Sequence, residues 1–153
     1  MDPVTDHLQT LLLRDLDAFQ AEIAALPDDT ALWQRLPGMA NAPGNLALHI
    51  AGNLQYFVGA ILGGSDYLRH REQEFAQDTG TRAEVTQELA RARRAVETVL
   101  PGLDGEALGR DFPVPIDGIH LSTQVFLLRL SVHLAYHLGQ VNVLCRTFTA
   151  PRA

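Results

Sequence analysis

Ser131-Val132-His133-Leu134-Ala135-Tyr136-His137-Leu138-Gly139-Gln140-Val141 lies inside the longest apolar run of the chain, Leu121 to Phe148. His133 and His137 are four residues apart, so on a helix they stand one turn apart on the same side. At about 100° per residue, Phe126, Leu130, His133, His137, Val141 and Leu144 fall within one arc of roughly 80°. The spacing therefore predicts a last helix with both histidines in the middle of its core-facing stripe. A buried polar group without a partner costs about 1–3 kcal/mol. Two inward imidazoles on adjacent turns can share one metal ion, or can hydrogen-bond to nearby carboxylates, amides or backbone.

Outside that helix, Thr5 or Asp6 is a cap for a first helix running to about Leu26, with Leu8, Leu12, Phe19 and Ile23 inward and Pro27 as its stop. Asp15 falls on that stripe, which puts a carboxylate at the core edge or facing a polar site; His7 lies off it. Residues 27–44 are a long connection with a helical turn at Thr30–Leu36, and Trp33 folds it onto the core. A second helix capped by Asn45 carries Leu46, Ile50, Leu54, Phe57 and Ile61 inward and ends at Gly63-Gly64. His49 and Asn53 sit at the margin of its apolar arc, which makes His49 the candidate third ligand. Ser65 to Gly80 is polar and reads as a mostly exposed connection in which His70 is a surface residue.

Thr81-Arg82-Ala83-Glu84 is a capping box opening a third helix, with Val85, Leu89, Ala92, Val96 and Val99 inward and Pro101-Gly102 as its end. Residues 111–120 alternate around Asp117-Gly118, as a short β-hairpin before the last helix would, although Pro113 and Pro115 forbid a central strand. His120 and Asp117 read as turn residues. Ser122 or Thr123 caps the last helix. Four helical patterns with long connections predict an all-α antiparallel four-helix bundle, a single domain over residues 1–153.

Composition narrows the function. The chain carries net charge −6 and its twelve cationic side chains are all Arg. With no basic tract it is a poor candidate for nucleic acid. No 18-residue apolar stretch exists and the first residues are acidic, which argues against a membrane span or signal peptide. One cysteine, Cys145, forms no internal disulfide, and its place in the apolar pattern reads as a packed thiol in a cytoplasmic protein. Leu128, Val132 and Val143 lie on the far side of the last helix from the histidines. A helix apolar on two faces is buried on both, which a homodimer achieves.

Three imidazoles, two on one helix and one on another, leave coordination positions open, as catalytic metals require. Zinc, nickel, copper and iron(II) all suit such ligands. Asn53, Gln140, Tyr136 and Asp15 are candidates for orienting hydrogen bonds. Among Arg35, Arg69, Arg110 and Arg129, the last lies nearest the histidine stripe and is the candidate for a small ligand's charge.

His133-Leu-Ala-Tyr-His137-Leu-Gly-Gln140-Val resembles the last-helix signature of the DinB-like bundle proteins, His-x-x-x-His-x-Gly-Gln followed by Ile or Val. Leu48-His49-Ile50-Ala51 is similar to their second-helix histidine segment, and the Phe-Pro-Val-Pro and Asp-Gly-Ile stretch to their small extended insertion. The resemblance implies a dimeric antiparallel four-helix bundle with a divalent metal on His49, His133 and His137. Members with known activity use low-molecular-weight thiols, as bacillithiol S-transferases and mycothiol-dependent maleylpyruvate isomerase do. The expectation is a metal-dependent thiol S-transferase acting on an electrophilic small molecule. The alternative is a non-catalytic divalent-metal-binding protein of the stress response.

Overall fold

The computed structural model describes residues 2–150, and they form an all-α fold. Helix α1 (Pro3–Ala25) begins earlier than Thr5 or Asp6. Its cap is Asp2, whose carboxylate accepts from the Val4 N–H at 2.8 Å. Pro3 fills the first helical position, where a missing N–H costs nothing. Thr5 is instead buried in the first turn and donates to the Leu103 carbonyl at 3.0 Å. Leu8, Leu12, Leu16, Phe19 and Ile23 face the core, each contributing about 1.5–3 kcal/mol of burial.

A short helix, α2 (Asp29–Trp33), interrupts the first long connection. Its Trp33 packs against the core and donates from Nε1 to the Gly80 carbonyl at 2.8 Å. Helix α3 (Pro43–Leu54) starts ahead of Asn45. Asn45 is its third residue, not its cap, and Oδ1 reaches back to accept from the Ala42 N–H at 3.0 Å. Its Nδ2 donates to the carbonyls of Glu74 and Gln77, at 3.1 and 2.7 Å. One buried amide thus starts α3 and ties it to the second connection.

From Gln55 to Leu62 the same helix continues as a π-helix. Five-residue hydrogen bonding shifts the side chains relative to an α-helix, and such segments recur at functional sites. Here Phe57 meets the Phe126 ring at 4.9 Å. The second connection contains α4 (Arg71–Ala76); it is mostly exposed, as expected, with Glu74 as its one buried residue.

Helix α5 (Arg82–Val99) opens on the expected capping box: the Glu84 carboxylate accepts from the Thr81 N–H at 2.7 Å, and Thr81 Oγ1 accepts from the Glu84 N–H at 3.2 Å. A 3-10 turn (Leu100–Gly102) and a short helix, α6 (Gly105–Gly109), follow. The expected hairpin is reduced to two isolated antiparallel bridges, Asp111 with Ser122 and Ile116 with Ile119. Asp117 and Gly118 turn it with φ of 51° and 77°, the double positive φ of a type I′ turn. Pro113 and Pro115 lack the N–H groups that would extend the ladder.

The last helix, α7 (Thr123–Thr149), is capped by Ser122 and packs most extensively on α1, while α3 contacts α4, α5 and α7. Its buried side runs through Phe126, Leu127, Leu130, Leu134, Val141, Leu144 and Cys145. His133 and His137 are half-buried at the edge of that stripe, not in its middle. Apolar residues nearly encircle α7, so its own periodicity does not single out one inward face. Packing against α1 chooses the side of Leu127 and Leu134, and the histidines are left at the seam with α3.

Candidate metal centre

His49, from the middle of α3, meets His133 and His137 at that seam. Their candidate ligand nitrogens all lie within 4.8 Å of one another. The Nε2 atoms of His49 and His137 each stand 3.1 Å from Nε2 of His133. Two imidazole nitrogens bound to one ion at about 2.0–2.1 Å, with angles between 90° and 110°, are roughly 2.9–3.4 Å apart. The two spacings to His133 fit that arrangement.

The protons support the same fit. His49 Nδ1 lies 2.9 Å from the Glu74 carboxylate, which can only accept, so the proton of neutral His49 is on Nδ1 and its Nε2 is bare. His137 Nδ1 lies 2.7 Å from Gln140 Oε1, and with the amide in this orientation the ring donates from Nδ1. Two bare nitrogens therefore point at His133 Nε2, which has at most one proton to offer when neutral. At least one of the two close approaches sets lone pair against lone pair. A cation at the common focus relieves that conflict.

Glu74 is the residue that sequence reasoning missed. Its side chain and that of Arg69 are only 7% and 11% exposed. Arg69 Nε donates to Oε1 at 2.8 Å and Nη2 to Oε2 at 3.0 Å, while Oε2 also accepts from His49. Burial pushes the Glu74 pKa up, but the hydrogen bonds from His49 and Arg69 and the Arg69 charge outweigh it and hold the pKa below the usual carboxylate range. The carboxylate fits only because residue 52 is glycine: a Cβ there would lie 2.1 Å from Glu74 Oε1. Six residues of α4 are too few for periodicity to reveal an inward face.

The other candidates divide. Gln140 orients His137, and its Nε2 donates to the Tyr136 hydroxyl at 3.2 Å, so Tyr136 joins the same chain of hydrogen bonds. Asn53 is buried on α3 one turn beyond His49, with no hydrogen bond to the three histidines. Asp15 is buried on α1, and its carboxylate accepts from Arg14 at 2.8 Å rather than facing the histidines. Arg129 is exposed and flanks His133 on the open side of α7. Arg69, not Arg129, is the arginine in contact with the imidazoles. His7 and His120 are exposed, and His70 is the exposed cap residue of α4.

Burial, then the charges of His137, His49, Arg69 and Arg71, lower the His133 pKa from 6.5 to about 4. His137 is lowered too, chiefly by burial and against the Gln140 hydrogen bond. Both are therefore neutral at pH 7 and present no proton for a metal to displace. Between pH 6.5 and about 4 the unfolded chain binds the His133 proton and the folded chain does not. The metal-free protein then loses stability as pH falls through that window. Melting temperatures measured across it should decline, and the His133 Cε1–H NMR signal should titrate near the lower limit. Titration at the ordinary histidine value would contradict the buried geometry.

Comparison with known proteins bears on the family and the fold. The model of the DinB superfamily matches residues 11–141. A crystal structure of a conserved protein from Enterococcus faecalis superposes with a TM-score of 0.77 at 17% identity, covering 99% of each chain. A DinB-like protein from Bacillus cereus superposes with a TM-score of 0.68 at 19% identity, over 91% of this chain and 90% of that one. At such identities the two structures speak for the fold alone. No curated protein matches the sequence significantly.

Proposed function

Because the chain belongs to the DinB superfamily, we propose that it is a metal-dependent small-molecule transferase whose co-substrate is a low-molecular-weight thiol, with His49, His133 and His137 as the metal ligands. The observation that supports this reading is the gathering of one ring nitrogen from each of His49, His133 and His137 within 4.8 Å of one another. A divalent ion held there (zinc, nickel or iron(II)) supplies Lewis acidity and lowers the pKa of a thiol at an open position. The protein's part is orientation. Glu74 and Gln140 fix two imidazoles in the tautomer that aims Nε2 inward. The Phe75 ring stands 4.8 Å from the His49 ring as an apolar neighbour of the site.

The thiol comes from outside the chain. Cys145 is buried, and burial together with the Glu22 charge pushes its pKa up to about 12. It is therefore a packing residue and not a nucleophile. A reduced lone thiol also accords with a cytoplasmic protein. No helix among the described residues is long and apolar enough to cross a membrane.

The test uses protein purified without a histidine tag, with its metal quantified. Conjugation of a chromogenic electrophile is followed with bacillithiol, mycothiol, glutathione and coenzyme A. Turnover is expected with one of them, lost on chelation and restored by metal. A stoichiometric metal with no thiol supporting turnover would leave the non-catalytic metal-binding reading in its place.

The same proposal includes a homodimer. Val132, Tyr136 and Val143 are 70%, 63% and 62% exposed on one side of α7, with Val125 and Leu128 beside them. Apolar side chains so grouped favour a self-complementary contact. Val132→Asp should convert a dimer to monomer in light scattering while leaving metal content intact. A native protein that is already monomeric at high micromolar concentration ends the dimer proposal.

A further inference from the structure

On its side facing α5, the π-helical stretch Gln55–Leu62 borders a cavity of about 540 Å³, closed on the third side by Ser65, Asp66 and Tyr67. That size is ordinary for a small-molecule cleft. Gln55, 6% exposed, belongs to the inner wall. Its Nε2 donates to Glu88 Oε2 at 2.9 Å. A carboxylate only accepts, so this contact fixes which end of the amide is which and turns Oε1 away from Glu88. Oε1 accepts no hydrogen bond among the described residues. No side-chain oxygen or nitrogen among them is both shut off from solvent and without a partner. Oε1 therefore keeps open surface, and the cavity is the space that Gln55 borders. A carbonyl in an otherwise buried side chain calls for an N–H or O–H donor there.

The charges around the cavity balance. Asp66 and Glu88 face Arg91 and Arg94. Glu88 also accepts from Arg91, which closes that pair. Asp66 and Arg94 are exposed and form no ion pair among the described residues, although they border the same space. One open charge of each sign is left, together with one inward carbonyl. Gly59, Gly63 and Ala95 keep the walls between the polar groups small and apolar.

We propose that this cavity is a second small-molecule site, separate from the metal centre, and that it takes an extended zwitterion, with an ammonium at Gln55 Oε1 and Asp66 and a carboxylate at Arg94. The ligand then carries no net charge, as the balanced walls require. An ammonium has three donors and serves a carbonyl and a carboxylate together. A guanidinium presents a planar fork to a carboxylate. Glu88, which holds Gln55, and Arg94 are six residues apart on α5, a rise of roughly 9 Å. That span fits an ω-amino acid or a short peptide better than an α-amino acid, whose two charged groups share one carbon.

The test is an NMR titration of isotope-labelled protein with 6-aminohexanoate and with triglycine, an aliphatic and a peptide form of the same charge pair. Shifts are expected at the Gln55 side-chain amide and at the Gly59 and Gly63 backbone amides, and the compound that saturates them at lower concentration identifies the source. Its derivatives lacking one charge, the terminal carboxamide and the N-acetyl compound, should each bind about tenfold more weakly. In Arg94→Gln, a change at an exposed position, the zwitterion should fall to the affinity of its carboxamide, and the carboxamide should bind as before. Thr98→Trp fills the cavity from its exposed rim and should abolish binding, with an unchanged melting temperature as the control for folding. No shift at the cavity amides with either compound at about 10 mM, a concentration that detects even millimolar affinity, overturns the inference. Equal binding of the singly charged derivatives, undiminished affinity in Arg94→Gln or undiminished binding in folded Thr98→Trp does so as well.

Discussion

His133→Ala should abolish stoichiometric metal while leaving the metal-free fold as stable as the native one, or slightly more so. His133 Nε2 is the atom both other imidazoles approach, at 3.1 Å each. Structural zinc binding of about 10–16 kcal/mol across four ligands amounts to roughly 2.5–4 kcal/mol per ligand. Loss of one ligand therefore weakens binding on the order of several hundredfold. In the metal-free protein the same change removes a half-buried imidazole and a lone-pair conflict, so little stability is lost. Thermal denaturation separates the two effects. Metal at about 1,000 times its dissociation constant stabilises by about 4 kcal/mol, worth roughly 8–16 °C in a chain of this size. That shift should appear in the native protein and shrink to about 2–4 °C in His133→Ala. An equal metal-induced shift in both would show that the ion sits elsewhere.

Glu74→Ala should damage both the fold and the centre. Removing the carboxylate leaves the Arg69 guanidinium, 11% exposed, without its partner. Breaking a buried pair on one side costs about 3–5 kcal/mol. It also frees the His49 ring to take the other tautomer, and loss of such an orienting partner lowers metal affinity about 10–100-fold. Glu74→Gln restores an acceptor for His49 but sets amide N–H groups against Arg69, so it should recover metal affinity more than stability. Urea denaturation gives the first quantity and competition with a chromogenic chelator the second. Unchanged metal affinity in Glu74→Ala would mean that His49 is oriented by packing alone.

The charge economy of the centre follows from these two residues. Glu74 sets the His49 tautomer yet contributes no net charge, because Arg69 cancels it. The metal site therefore gains no net negative charge from this pair, inside a protein whose overall charge is −6.

Helix existence was legible wherever apolar period and caps agreed. Thr81 and Glu84 announced α5, and Leu8, Leu12, Phe19 and Ile23 announced the buried side of α1. Starts were less legible where two signals competed, as at Asp2-Pro3 against Thr5-Asp6, and at Pro43-Gly44 against Asn45. The π-helical stretch from Gln55 was invisible because five-residue hydrogen bonding changes the register without changing which residue types are apolar. Spacing on two helices indicated His49, His133 and His137, and the fold brings these three together.

What the chain dictated by itself was the set of amphipathic helices and the histidines they carry, since both depend on contacts within a few residues. What only the tertiary structure decided was which face of α7 turns inward, and which carboxylate and arginine stand behind His49. Glu74 lies 25 residues from His49 on a helix of six residues. It reaches the imidazole because Asn45 ties its segment to α3 and Gly52 leaves room for its oxygen. Those constraints arise from packing between distant segments, and no local pattern encodes them.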